Sequence, residues 1–170
     1  MNRNRVVVSL VVILAAVAAQ AQSGSQQSFD SIKALTGNWE GKSDMTDPVQ
    51  VSFRITAGGS AVMSEIVSHM DGKSDDMITM FNMDGDRLLL THYCALQNAP
   101  VLRFEKSNKP GELKFVFYGG TNFDPKVDAH LHESTFQIKD GDTVEQNSTV
   151  FANGKPTPEL HAILHRKSSN

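Results

Sequence analysis

One cysteine, Cys94, stands in a chain of 170 residues. No disulfide can form within it, so the fold has to be held by its core rather than by covalent staples. Basic residues are also few: Lys and Arg total 16 against 19 Asp and Glu, with no cluster of like charge. A chain without a basic block or a basic helix lacks the electrostatic footprint of a nucleic-acid or anionic-membrane partner. The longest apolar run, residues 6–19, falls short of the roughly 20 residues that a membrane-spanning helix needs. Gly-x-Ser-x-Gly, phosphate-loop and His-Glu-x-x-His patterns are all missing. The commonest hydrolase, nucleotide-binding and metalloprotease chemistries are excluded with them.

What is present begins with an export signal. Arg3 and Arg5 form a basic head, residues 6–19 an apolar stretch, and Ala19-Gln20-Ala21 the small-x-small pattern read by a signal peptidase. Cleavage after Ala21 removes 21 of the 170 residues and leaves 149, enough for one domain with a real core. Losing Arg3 and Arg5 leaves 14 basic residues against 19 acidic, a formal charge of −5. An exported chain, periplasmic or extracellular, with no membrane attachment after cleavage is the expectation. Residues 22–28 (Gln-Ser-Gly-Ser-Gln-Gln-Ser) read as a flexible leader, and residues 29–167 as the domain.

From residue 37 onward short β-rich runs alternate with turn signals, and no helical period is sustained. Val49, Val51, Phe53 and Ile55 alternate with Gln50, Ser52, Arg54 and Thr56, the period of a strand with one buried face. Turns fall at residues 57–59, 71–72, 84–85, 109–111, 140–141 and 153–154, several of them the Asx-Gly pairs of tight hairpins. About ten strands result: 37–44, 48–57, 60–69, 75–83, 86–94, 99–106, 112–119, 129–139, 142–152 and 157–167. A meander of that length exposes two edges unless it closes, so an all-β, antiparallel up-and-down barrel is predicted, with a two-sheet sandwich as the alternative. Ahead of it, residues 28–35 predict a short helix, with Ser28 as its cap and Phe29, Ile32 and Leu35 on one side.

The stretch Leu35-Thr36-Gly37-Asn38-Trp39-Glu40-Gly41 places a Gly-x-Trp on the first strand just after that helix. In this it resembles the calycin superfamily of lipocalins, fatty-acid-binding proteins and nitrobindin-like barrels. The resemblance implies a helix plugging one barrel end with Trp39 packed against it. Thr91-His92-Tyr93-Cys94, Gly119-Gly120-Thr121-Asn122 and His130-Leu131-His132 are similar to stretches of exported bacterial lipocalin-like proteins of unknown function. That likeness covers most of the mature chain and brings no activity with it. In nitrobindin-like barrels a His near the chain end holds haem. His161 and His165 are the candidates here, but Leu160, Ala162 and Leu164 read as the inward face of their strand.

Parity then locates a candidate site. Every second turn of a meander lies at the same end, which groups the longer loops 44–48, 71–75, 95–100, 119–128 and 153–158 opposite the plug, as a mouth. Arg87 marks the outer face of its strand, so Leu88, Leu90, His92 and Cys94 point inward. Glu133, Gln137 and Lys139 mark the outer face of another, so His130, His132, Ser134, Phe136 and Ile138 point inward. His92, Cys94, His130 and His132 are therefore expected around one pocket, above Leu88, Leu90, Phe115, Phe117, Phe136 and Ile138. Asn98 and Asn122 on the adjoining loops are candidate helpers. His-x-His also suits a transition metal, making His92, His130 and His132 candidate metal ligands. The cupin pattern, however, wants a Glu where Phe136 or Gln137 stands. Three functional readings stay open. The first is a barrel that binds a small, partly apolar molecule; the second is an enzyme using these histidines with a metal or haem; the third is a structural barrel. No cofactor is assigned.

Overall fold

A computed structural model describes residues 24–44, 48–70 and 73–168, the side chains of 68–70 and 73–75 apart. The expected export signal, the expected Asp71-Gly72 turn and the side chain of His69 lie outside what is described. One helix, α1 (Gly24–Ala34), precedes the strands β1 (Gly37–Ser43), β2 (Val49–Thr56), β3 (Ala61–Met70), β4 (Lys73–Asp84) and β5 (Arg87–Tyr93). They are followed by β6 (Ala99–Lys106), β7 (Glu112–Thr121), β8 (His130–Ile138), β9 (Thr143–Ala152), β10 (Lys155–Pro156) and β11 (Leu160–Arg166). Ten of these form a closed antiparallel barrel, while the two-residue β10 only extends β9. Each predicted strand is present, and the sandwich alternative is ruled out because β11 pairs with both β1 and β9 while β8 pairs with β9. Among the described residues no long edge is left to pair with another chain.

The first strand explains why the barrel closes where it does. Gly41 pairs with Leu164 across the β1–β11 seam, and a Cβ on it would sit 1.8 Å from the carbonyl oxygen of Ile163. Only glycine lets the two backbones approach that closely. Gly37 is different: its φ of +132° turns the chain from helix into strand, and a Cβ there would press on the Arg166 guanidinium. Between them Trp39 is buried, donates from Nε1 to the Leu35 carbonyl at 2.8 Å and meets Phe53 edge to face.

Helix α1 lies across this end, packed on β2, β4, β5 and β6 with Ser28, Phe29 and Ile32 buried. It starts at Gly24, one turn earlier than predicted. Residues 24–28 are thus its first turns rather than leader, and Ser28 is inside the helix instead of capping it. A short helix owes its stability to packing more than to local capping, and burial of Phe29 and Ile32 carries it upstream. Above the plug the core is aromatic: Phe81, Phe115 and Phe136 meet edge to face, and Phe104 joins them through Phe115. Ile55, expected inside with Val51 and Phe53, is 44% exposed because it sits at the end of β2 beside the Ala57–Gly59 turn.

Trp39→Ala is expected to cost about 3–5 kcal/mol, as large-to-small changes in a packed core do. Chemical denaturation reads this directly. A midpoint at the wild-type value would contradict the role of Trp39 under the barrel.

Candidate functional site

Opposite the plug the barrel is hollow. A cavity of about 430 Å³ opens among the ends of β1, β3, β5 and β9 and the starts of β2, β4, β8 and β11. Its volume is within the range of pockets that enclose small ligands. Asp44, Ala95, Leu96 and His161 border its mouth, and Leu90, Leu131, Phe136 and Val150 are among the apolar side chains of its walls. The mouth is therefore at the predicted end, but the 119–128 loop does not border it.

Two of the six expected residues line the cavity, His92 and Cys94. Along β5, Leu88, Leu90 and His92 are buried while Arg87 and Tyr93 are exposed, so the parity reading of this strand describes its fold correctly. His92 is 8% exposed, and its Nδ1 shares a hydrogen bond of 2.9 Å with Thr79 Oγ1 on the neighbouring strand. Its Nε2 has no hydrogen-bond partner among the described residues. Burial away from water disfavours the imidazolium and pushes the pKa down to about 4, so His92 is neutral at pH 7.

His130 and His132 do not line the cavity, and the reason is a bulge. The β8–β9 ladder pairs Leu131 with Val150 and then Glu133 with Thr149, leaving His132 unpaired. An extra residue resets the alternation of a strand and re-aims its side chains. Leu131 consequently faces the cavity instead, with Val150 opposite. The β7–β8 ladder ends at Val116 and Glu133, and in the β6–β7 ladder β7 has its own irregularity at Tyr118. Aromatic rings fill the gap: His132 stacks on Phe151 at 3.7 Å and on Phe117 at 5.0 Å, and Phe123 lies against His130. Phe117, expected in the deep apolar layer, belongs to this cluster.

His130 Nδ1 donates to the Asp128 carbonyl at 2.9 Å, and its Nε2 shares a hydrogen bond of 3.1 Å with His132 Nδ1. The His132 pKa is lowered by burial first and by the neighbouring His130 second. Asn98 is buried, donates to the Ala129 carbonyl and leaves Oδ1 unpartnered, while Asn122 donates to the Gln97 carbonyl. These two asparagines tie the turn after β5 to the segment before β8.

No group of three His, Cys, Asp or Glu side chains converges as a metal site would require among the described residues. His161 stands at the mouth, but its imidazole bonds Glu145 at 3.1 Å; His165 contacts Thr143 and is exposed. Neither presents a free ring nitrogen from the inward face of β11, which belongs to Leu160, Ala162 and Leu164.

Sequence reasoning missed Thr79, Gln146 and Ser148 and gave Ser134 no role. All four line the cavity, and Gln146 donates to Ser134 at 3.5 Å and to Ser148 at 3.4 Å. The signal was available in β9, where Val144, Gln146, Ser148 and Val150 share one parity: polar residues interrupt an otherwise apolar inward row.

Comparison with known proteins yields a fold. The crystal structure of Rv2717c from M. tuberculosis is similar to this chain, with a TM-score of 0.57 and 18% identity, over 87% of this chain and 100% of that one. The closed ten-stranded antiparallel barrel fits a lipocalin-like fold. At that identity the likeness shows the fold alone. No family model matches the sequence, and no curated protein matches it.

Because folding excludes a proton from His92, stability is complete above the unfolded pKa of 6.5 and falls as pH drops toward 4. The loss attributable to His92 is about 3 kcal/mol across that window. His132 adds to it in the same direction. Urea denaturation at pH 7 and pH 4.5 should show a smaller loss for His92→Gln than for wild type. Equal losses would contradict a buried neutral imidazole.

Proposed function

We propose that this chain is an exported binding barrel of the calycin kind, which holds a small, partly apolar molecule in the cavity beneath Asp44 and Leu96. One observation carries the reading: the interior opposite the plug is an apolar hollow of about 430 Å³ rather than a packed core. Close packing is the rule in protein interiors, so an open hollow lined by Leu90, Leu131 and Phe136 is a site that a ligand fills. His92 and Cys94 are the expected residues assigned to ligand contact, joined by Thr79, Ser134, Gln146 and Ser148. His130, His132, Asn98 and Asn122 are assigned a supporting role, fixing the wall and loop beside the mouth. The enzymatic alternative has less support, since His92 stands apart from the His130–His132 pair.

Nile red, a neutral dye whose emission shifts to the blue in apolar surroundings, tests the site. Wild type is expected to bind it with one dye per chain, and Ala162→Phe, which puts a ring into the cavity, to abolish binding without unfolding the barrel. Native mass spectrometry of the protein taken from the bacterial periplasm or medium tests export in the same sample, the expected chain starting at Gln22. Undiminished dye binding by Ala162→Phe would overturn the assignment of the cavity.

A further inference from the structure

Among the described residues, no lysine, arginine or glutamate lines the cavity, and Asp44 is its one aspartate. Asp44 sits at the mouth, where its carboxylate accepts a hydrogen bond from the backbone N–H of His161 at 2.9 Å. His92 supplies no positive charge at neutral pH, since burial holds it in the neutral form. A carboxylate or phosphate drawn inside would lose its hydration and meet neither lysine nor arginine, while His161 at the mouth already holds the Glu145 carboxylate at 3.1 Å. An unpaired buried charge is among the costliest states a protein interior can hold.

Below the mouth the walls offer two hydrogen-bonded groups of neutral side chains, beside Ser43 and Cys94. The first is His92 on β5, oriented by Thr79 on β4 at 2.9 Å, with Nε2 unpartnered among the described residues. The second is Ser134 on β8 with Gln146 and Ser148 on β9. Their mutual bonds are long, between 3.3 and 3.5 Å, so a ligand group has room to replace them with shorter ones. Strand order sets the groups on facing walls. Two strands, β6 and β7, separate β5 from β8 in one direction, and four, β11, β1, β2 and β3, separate β9 from β4 in the other. Apolar side chains including Leu90, Leu131 and Phe136 line the space between.

We propose that the cavity selects an uncharged, compact apolar molecule with a neutral polar group at each end, such as a hydroxyl, carbonyl or amide. One end meets His92 and the other meets the Ser134–Gln146–Ser148 cluster. Fatty acids and other anionic amphiphiles are rejected. This inference rests on the cavity being a binding site and adds to that reading the charge and polarity of what it takes.

Calorimetric titration with a matched set of biphenyls tests it: biphenyl itself, its para mono-ol, its para,para diol and the corresponding dicarboxylate. The diol should bind about tenfold more tightly than biphenyl or better, with the mono-ol between them, and the dicarboxylate about a hundredfold more weakly than the diol. His92→Phe should bring the diol to the affinity of the mono-ol while leaving biphenyl unchanged. Paired Ser134→Ala and Ser148→Ala changes should do the same from the opposite wall. Retained biphenyl binding shows that each variant is folded. A dicarboxylate binding as well as the diol, or a diol binding no better than biphenyl, overturns the inference and leaves the cavity as a site for apolar molecules. Failure of the whole set on wild type, biphenyl included, overturns both.

Discussion

Arg166, the last residue of β11, lies across the face of Trp39 at 4.3 Å while its guanidinium donates to the carbonyls of Ala34 and Thr36 at the helix end and of Gly141 in a turn. The two residues are also backbone partners across the seam that closes the barrel. Helix end, first strand, last strand and plug thus converge on one side chain. Its planar fork satisfies carbonyls that a helix terminus leaves unpaired, and its flat face covers an aromatic ring. With that end fixed, the strands are anchored at the bottom, and the hollow at the top needs no filler to hold its shape.

The cavity follows from a division of labour along the strands. Near the plug the inward positions carry large rings and leucines, and Phe81, Phe115, Leu88 and Leu102 are buried. Toward the mouth the same parity carries Thr79, His92, Ser134, Gln146 and Ser148, smaller or polar side chains that do not reach across. Buried polar groups cost stability unless they are paired, and these are paired on their own wall, Thr79 with His92 and Gln146 with the two serines. Each wall is largely satisfied by itself while still presenting hydrogen-bonding capacity to the interior. The His130–His132 pair, by contrast, spends its hydrogen bonds on itself and on Asp128 and its ring faces on phenylalanines.

Strand number, strand bounds and the inward parity of β5 were legible because each rests on local signals, namely period-two alternation and Asx-Gly turns. Closure followed instead from the two edges an open meander would expose, and the plug from the calycin resemblance. The parity of β8 was not legible past Ser134. Counting back from Phe136 assumes a regular strand, and nothing in His130-Leu131-His132 announces that one residue drops out of the ladder. A bulge is a property of two strands together, so a single strand read alone places His130 and His132 on the wrong side. The helix start was missed for a related reason: packing on the barrel, not capping chemistry, decides it.

The central claim is that the barrel is hollow above its aromatic layer, and xenon tests it without any assumption about the ligand. The gas settles against apolar cavity walls, which here are those between the two polar groups. In a crystal of the protein under xenon pressure, density is predicted between Leu90, Leu131 and Phe136. Side chains from facing walls meeting across that space, with no xenon between them, would contradict the account and leave a filled structural barrel.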